Sequence, residues 1–334
     1  MSGGRRPMTG SPTRRRVLRL ACGMLLAASA ASAQEPGRVY RLGGLRNSPS
    51  AAPHWIAFFD ELRRLGFIEG QNLSDDRRGY GLRAEQYDEH AAELVKARVD
   101  VILAGGDAAV RAAQRATTEI PILALTDDMV GQGFVRSLGK PGGNTTGITI
   151  LASELDGKRQ EILIEAMPGI RRIAALVDTN IATSSHLRAL EEAARAQGVR
   201  LSMHRVARQE EIVAAIDAAK AADAEALNVL ASSLLWNNRT IIFDRVAALR
   251  MPAVYQWLEM ADEGGLICYG PSIVQLYRDV QSRQLASLLR GTKPANVPVE
   301  QPTKFELAIN LKTAKALSLA IPPSLLARAD KVIE

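Results

Sequence analysis

Short apolar runs and amphipathic helical stretches take turns along most of this chain, and such alternation leaves few folds open. The pattern begins with a strand-like run at 39–45 that ends in Arg46, Asn47 and Ser48. A helix is expected over 53–65, with Trp55, Phe58, Phe59 and Leu62 on one face and Gly66 placed to end it. The polar segment 72–79 reads as an edge strand and 84–97 as a helix. A buried strand at 99–104 runs into Gly105, Gly106, Asp107 and Ala108. A further strand at 122–125 ends in Thr126, Asp127 and Asp128. Strands separated by helices at this spacing pair in parallel, because each crossover helix returns the chain to the same edge. The right-handed crossover rule then gathers the turns 46–48, 105–108 and 126–128 at the C-terminal ends of the strands, where open α/β sheets hold their ligands.

The pattern restarts beyond residue 150. Helices are expected at 154–167, 184–196, 210–222 and 237–249, with strands at 173–177, 199–206, 226–230, 253–255 and 266–269. A long helix at 273–289, a proline-broken connector at 294–302, a strand at 305–309 and closing segments at 314–319 and 325–333 complete the chain. Between the two arrays lies 121–150, whose core is Pro141-Gly142-Gly143-Asn144-Thr145-Thr146-Gly147. Its glycines permit tight turns and close backbone approach. We read it as the place where the chain leaves one lobe for a second; a long surface loop within one lobe is the plainer alternative. The expected fold is α/β, with two Rossmann-like lobes of parallel sheet joined by a hinge of several strands. The N-terminal lobe takes 38–148 and about 270–302; the C-terminal lobe takes 149–269 and about 303–334. Several crossings would limit relative motion to closure over a ligand.

Residues 1–33 read as an export signal. Six arginines precede a short apolar run at 20–31, and Ala31-Ser32-Ala33 forms a cleavage site. Thr13-Arg14-Arg15-Arg16 resembles a twin-arginine signal, and ordinary secretion stays open. The chain holds 42 basic and 36 acidic residues; removing the six arginines leaves 36 of each. The high isoelectric point therefore belongs to the leader, which argues against a nucleic-acid partner. Of two cysteines only Cys268 survives cleavage, so no internal disulfide is expected, and 47% hydrophobic residues must supply the core.

Five stretches carry a more specific resemblance: LRRLGFIEGQN (62–72), VDVILAGGDAAVRAAQRATTEIPI (99–122), SLGKPGGNTTGI (137–148), GGLICYGPS (264–272) and the C-terminal VPVEQPTKFELAINLKTAKALSLAIPPSLLARADKVIE (297–334). In their order they resemble the periplasmic substrate-binding proteins of ABC transporters with the type I fold, in the tryptophan/unknown-substrate branch. The chain departs from that pattern at Asp127-Asp128-Met129-Val130, where the family usually has Asp-Pro-Val. The resemblance implies a periplasmic receptor that captures a small organic solute, an amino acid or an aromatic or branched relative, and delivers it to a permease in the inner membrane. A monomer without cofactor is expected.

Ligand contacts would come from strand ends and helix N-termini. Gly106, Asp107 and Ala108 allow close backbone approach to a carboxylate, with plain N-capping by Asp107 as the alternative. Arg46, Asn47 and Ser48 suit a polar or anionic group, and Thr126 with Asp127 suits an ammonium; Asp128 competes with Asp127 for the inward position. Asp178, Thr179, Asn180, Thr183 and Ser184 would face them from the second lobe, with Thr183 or Ser184 as a cap. Ser232 ends another strand. Trp236, Tyr255, Trp257 and Tyr269 follow strand-like runs, where they either stack on cargo or pack in the core.

Enzyme readings lack their residues. There is no G-x-S-x-G elbow and no P-loop around Gly157-Lys158. The four histidines, His54, His90, His186 and His204, are scattered, and Cys268 stands alone, so no metal is expected. A receptor that reports to a membrane signalling protein would share this binding chemistry; a hydrolase on the same scaffold is the more distant alternative.

Overall fold

The computed structural model describes residues 1, 3, 4 and 37–334, so the expected leader lies almost wholly outside the described residues. Among the described residues, every strand and helix falls within Val39–Glu334, which is one compact unit.

The first half builds β1 (Tyr40–Leu45), α1 (Pro53–Arg64), β2 (Leu73–Asp75), α2 (Tyr87–Lys96), β3 (Val101–Gly105), α3 (Asp107–Ala116), β4 (Ile122–Thr126) and β5 (Thr145–Thr149). The strands form a parallel sheet in the order β2-β1-β3-β4-β5. Strands β3 and β4 bury nearly every residue, the signature of a sheet covered on both faces. The polar segment after Gly70 does sit at the sheet edge, as β2.

The glycine-rich stretch 127–144 joins β4 to β5 without a helix, so it stays beside the first sheet. Met129, Phe134 and Val135 anchor it in the core. Asn144 donates to the carbonyls of Thr117 and Ile120. Gly147 has φ +144°, and a Cβ there would overlap the Ala124 carbonyl of the neighbouring strand. The crossing follows it, through Leu151 in the left-handed region, and leads into α4 (Ala152–Ala166).

The second half continues as β6 (Arg172–Asp178), α5 (Ser184–Ala196), β7 (Arg200–Val206), α6 (Ile212–Ala221), β8 (Ala226–Val229), α7 (Ser233–Asn237), α8 (Arg239–Ala248), β9 (Ala253–Tyr255) and β10 (Ile267–Gly270). A continuous helical stretch over 273–289, α9, is π-wound in its middle, at Leu276–Gln281. Then come β11 (Glu306–Asn310), α10 (Leu311–Ala316), α11 (Pro323–Leu326) and β12 (Lys331–Ile333). The closing segment is thus a short helix and an edge strand. The second sheet runs β12-β11-β10-β9-β8-β6-β7, parallel except for the antiparallel pair β10–β11.

The chain passes between the sheets three times. After β5 it enters α4; after β10 it returns, and α9 packs on α1 through Tyr277 against His54, Trp55 and Phe58. The connector then lies along β5, where Glu300 N–H donates to Gly147 O at 3.0 Å and Thr149 N–H donates to Glu300 O at 2.9 Å, before β11 joins the second sheet.

Candidate functional site

The C-terminal ends of strands from both sheets meet around a cavity of about 90 Å³. From the first sheet come Asp107, Asp127, Asp128 and Gln132; from the second come Ser153, Asp156, Asp178, Thr183 and His186. Among the described residues, no Lys or Arg lines it. Gly106 (φ +84°, ψ 160°) turns the chain from β3 into α3 in a conformation open to glycine alone. A Cβ on Gly106 would sit 2.6 Å from Ser233 Oγ, so the two halves touch here.

Crowding of carboxylates sets the electrostatics. Burial, and then the Asp127 carboxylate, push the Asp107 pKa up from 3.8 to about 6; Asp128 and Asp178 add to the rise and Arg111 opposes it. Thr126 Oγ1 donates to Asp107 Oδ1. Asp178 Oδ1 accepts from the Asn180 N–H at 2.9 Å and from its side-chain amide at 2.8 Å, which fixes the carboxylate at the strand end. Asp156, on α4, is held by three donors or partners: buried Arg159, the Ala231 N–H at 3.1 Å and His186 Nε2 at 3.1 Å.

Of the residues expected from sequence, Asp107, Asp127, Asp178 and Thr183 line this cavity, with Gly106 and Thr126 directly behind Asp107. Thr183 also caps α5, accepting from the His186 N–H. Thr179 is exposed and bonds back to Val206, Asn180 supports Asp178, and Ser184 and Ala108 are exposed beyond the lining. Ser232 caps α7 through the Leu235 N–H at 2.9 Å.

The strand end at Arg46 does different work. Arg46 is 1% exposed, forms two hydrogen bonds to Asp75 at 3.0 and 2.6 Å, and packs over the rings of both Trp55 and Tyr80. Ser48 Oγ accepts from Trp55 Nε1 at 2.8 Å and pairs with His54 Nε2 at 3.0 Å, and Asn47 beside it is half-buried. Burial, and then Arg239 on the opposite half, lower the His54 pKa to about 4. Among the aromatics, Tyr255 is in the core against Phe243, Trp236 packs on Trp257 and Arg239, and Tyr269 gives its carbonyl to Arg159. None of the three lines the cavity.

Ser153, Asp156 and His186 reach the lining from helices and Gln132 from the loop after β4, places that the strand ends do not cover. A signal was present: Asp156, Arg159 and Gln160 interrupt an otherwise apolar helical face one turn apart.

The family model for ABC transporter substrate binding proteins matches residues 58–333. A tyrosine-binding protein of Clostridioides difficile is 26% identical over 78% of this chain and 75% of its own length. Two solved structures share the fold. One is a conserved domain protein from Vibrio cholerae, with TM-score 0.78 and 21% identity, covering 88% of this chain and all of that one. The other is an ABC domain in complex with L-Trp from Streptococcus pneumoniae, with TM-score 0.77 and 22% identity over the same shares. The family consists of binding proteins rather than enzymes, and this chain belongs to it: it is an ABC transporter substrate binding protein.

Proposed function

We propose that the chain is the extracytoplasmic receptor of an ABC importer and that it captures a small organic solute bearing an ammonium group, an amino acid foremost, between two hinged lobes. The lobes would be 38–148 with about 270–302, and 149–269 with about 303–334. One observation carries the reading: Asp107, Asp127, Asp128 and Asp178 border one cavity, and among the described residues no Lys or Arg lines it; a fifth carboxylate there, Asp156, is already matched by buried Arg159. Such a site favours a cation, and a zwitterion's carboxylate can turn to the N-terminus of α5, where Thr183 stands. The tyrosine and tryptophan bound by the relatives support the amino-acid class. In this conformation about 90 Å³ accommodates an amino-acid head group. A cavity that admits a benzene ring is on the order of 150 Å³, so a phenol or indole side chain requires the halves to part further. Closure over cargo would create the surface that the permease reads. The N-terminal arginines and the Ala31-Ser32-Ala33 site support export, and among the described residues no helix is long and apolar enough to cross a membrane.

A thermal-shift series at pH 8 tests this, using amino acids from glycine to tryptophan beside simple amines and simple carboxylates. At a hundredfold excess over Kd a ligand of the native state adds about 2.7 kcal/mol. Amine-bearing compounds should raise the melting temperature. Shifts confined to carboxylates without an amine would sink the proposal.

A further inference from the structure

The opposite end of the second sheet carries a basic groove that cargo capture does not use. Arg171 and Arg172 lead into β6, Arg200 opens β7 and Arg195 stands in the last turn of α5. All four are exposed and border one open groove of about 700 Å³, with Glu191 at its rim and Val199 and Leu201 in its wall. Strand β6 separates this groove from Asp178, roughly 20 Å away at 3.3 Å per residue.

These four guanidiniums are gathered in one groove, whereas several exposed arginines elsewhere are each matched by an acid. Arg63, Arg77, Arg115 and Arg328 each reach a carboxylate. Among the described residues, none of the four groove arginines forms an ion pair, and Arg172 Nε donates instead to the Asp223 carbonyl at 2.8 Å. The nearby carboxylate, Glu225, is occupied by the backbone N–H groups of Arg171 and Arg172 at 2.9 and 2.8 Å. Four guanidiniums thus share the groove lining with one carboxylate, Glu191, while Glu225 beside it also feels the charges of Arg172 and Arg171. The excess is local, because the chain beyond residue 33 balances 36 basic against 36 acidic residues. Holding four like charges together with too few counter-ions costs the folded state, and an anion in the groove reduces that cost.

We propose that this groove binds a phosphate-bearing anion. A guanidinium fork matches phosphate oxygens in pairs, and a phosphate monoester carries roughly the two negative charges that the groove lacks. The groove volume falls within the range of small-ligand sites. The phosphate belongs either to a free anion or to a lipid headgroup, and two measurements separate the sources. Calorimetry with inorganic pyrophosphate reads the first; flotation with phosphatidylcholine vesicles containing phosphatidylglycerol reads the second. The full chain is compared with its Arg195→Gln/Arg200→Gln double variant, so that the leader arginines are common to both. We expect one of the two probes to bind, more weakly at high salt. The double variant should lose about a hundredfold in affinity at an unchanged melting temperature. The proposal is overturned if neither probe binds at about 1 mM, the weak end of specific recognition. Equal binding by the double variant overturns it as well.

Discussion

Replacing Asp107 by Asn should make the ligand-free protein more stable at pH 8 and change it little at pH 4. The carboxyl is raised from 3.8 to about 6 because it is buried beside Asp127, Asp128 and Asp178. The folded chain therefore holds this proton more tightly than the unfolded chain, and stability falls as pH rises through that window. Below 3.8 both states are protonated and the penalty is absent; above about 6 it is complete. The full difference corresponds to about 3 kcal/mol against the ionised form. Water that enters when the halves part relieves some of it, so we expect a gain of about 1.5 kcal/mol at pH 8. Asn keeps the oxygen that accepts from Thr126 Oγ1, so the substitution removes charge and little else. Urea unfolding of both proteins at pH 4 and pH 8 measures the effect, with the midpoint moving and the slope constant. Equal midpoints at pH 8 would refute the reasoning, as would a gain of the same size at pH 4. The same variant should bind an ammonium ligand more weakly, which would make Asp107 a residue held at a cost to stability for the sake of binding.

Other outcomes follow from the same geometry. Gly106→Ala places a methyl group in a backbone region closed to it, at about 1–3 kcal/mol, and 2.6 Å from Ser233 Oγ. Ligand affinity should fall about tenfold, and Ser233→Ala in that background should recover part of the affinity but none of the stability. Failure of the second change to restore any binding would dissociate this contact from closure. Asp75→Asn strands Arg46, 1% exposed, without a counter-charge, and should cost about 3–5 kcal/mol in chemical denaturation. A loss under 1 kcal/mol would show that the pair is hydrated. Asp178→Ala should weaken ligand binding in calorimetry while the melting temperature stays within a few degrees; unchanged affinity would remove Asp178 from the site.

The alternation of strand and helix, the helix ends and the polar edge strand were legible in the sequence, because period and capping are local properties of the chain. Asp107, Asp127 and Asp178 were legible for a related reason: parallel crossovers put strand ends on one edge, and these three stand there. What each charged group meets was decided only by the tertiary structure. Arg46 ends a strand like the others, but Asp75, 29 residues on, comes to lie on the neighbouring strand and neutralises it. Tyr255 follows the pattern of a cleft aromatic yet lies in the core, because its ring is covered by Phe243 of α8. Asp156 and His186 reach the cavity from two helices whose meeting is fixed by packing on the second sheet. Sequence settles the order and direction of the elements, since these depend on neighbours in the chain. The pairing of charges across the halves depends on how two separately formed sheets are brought together, a relation that no stretch of residues carries by itself.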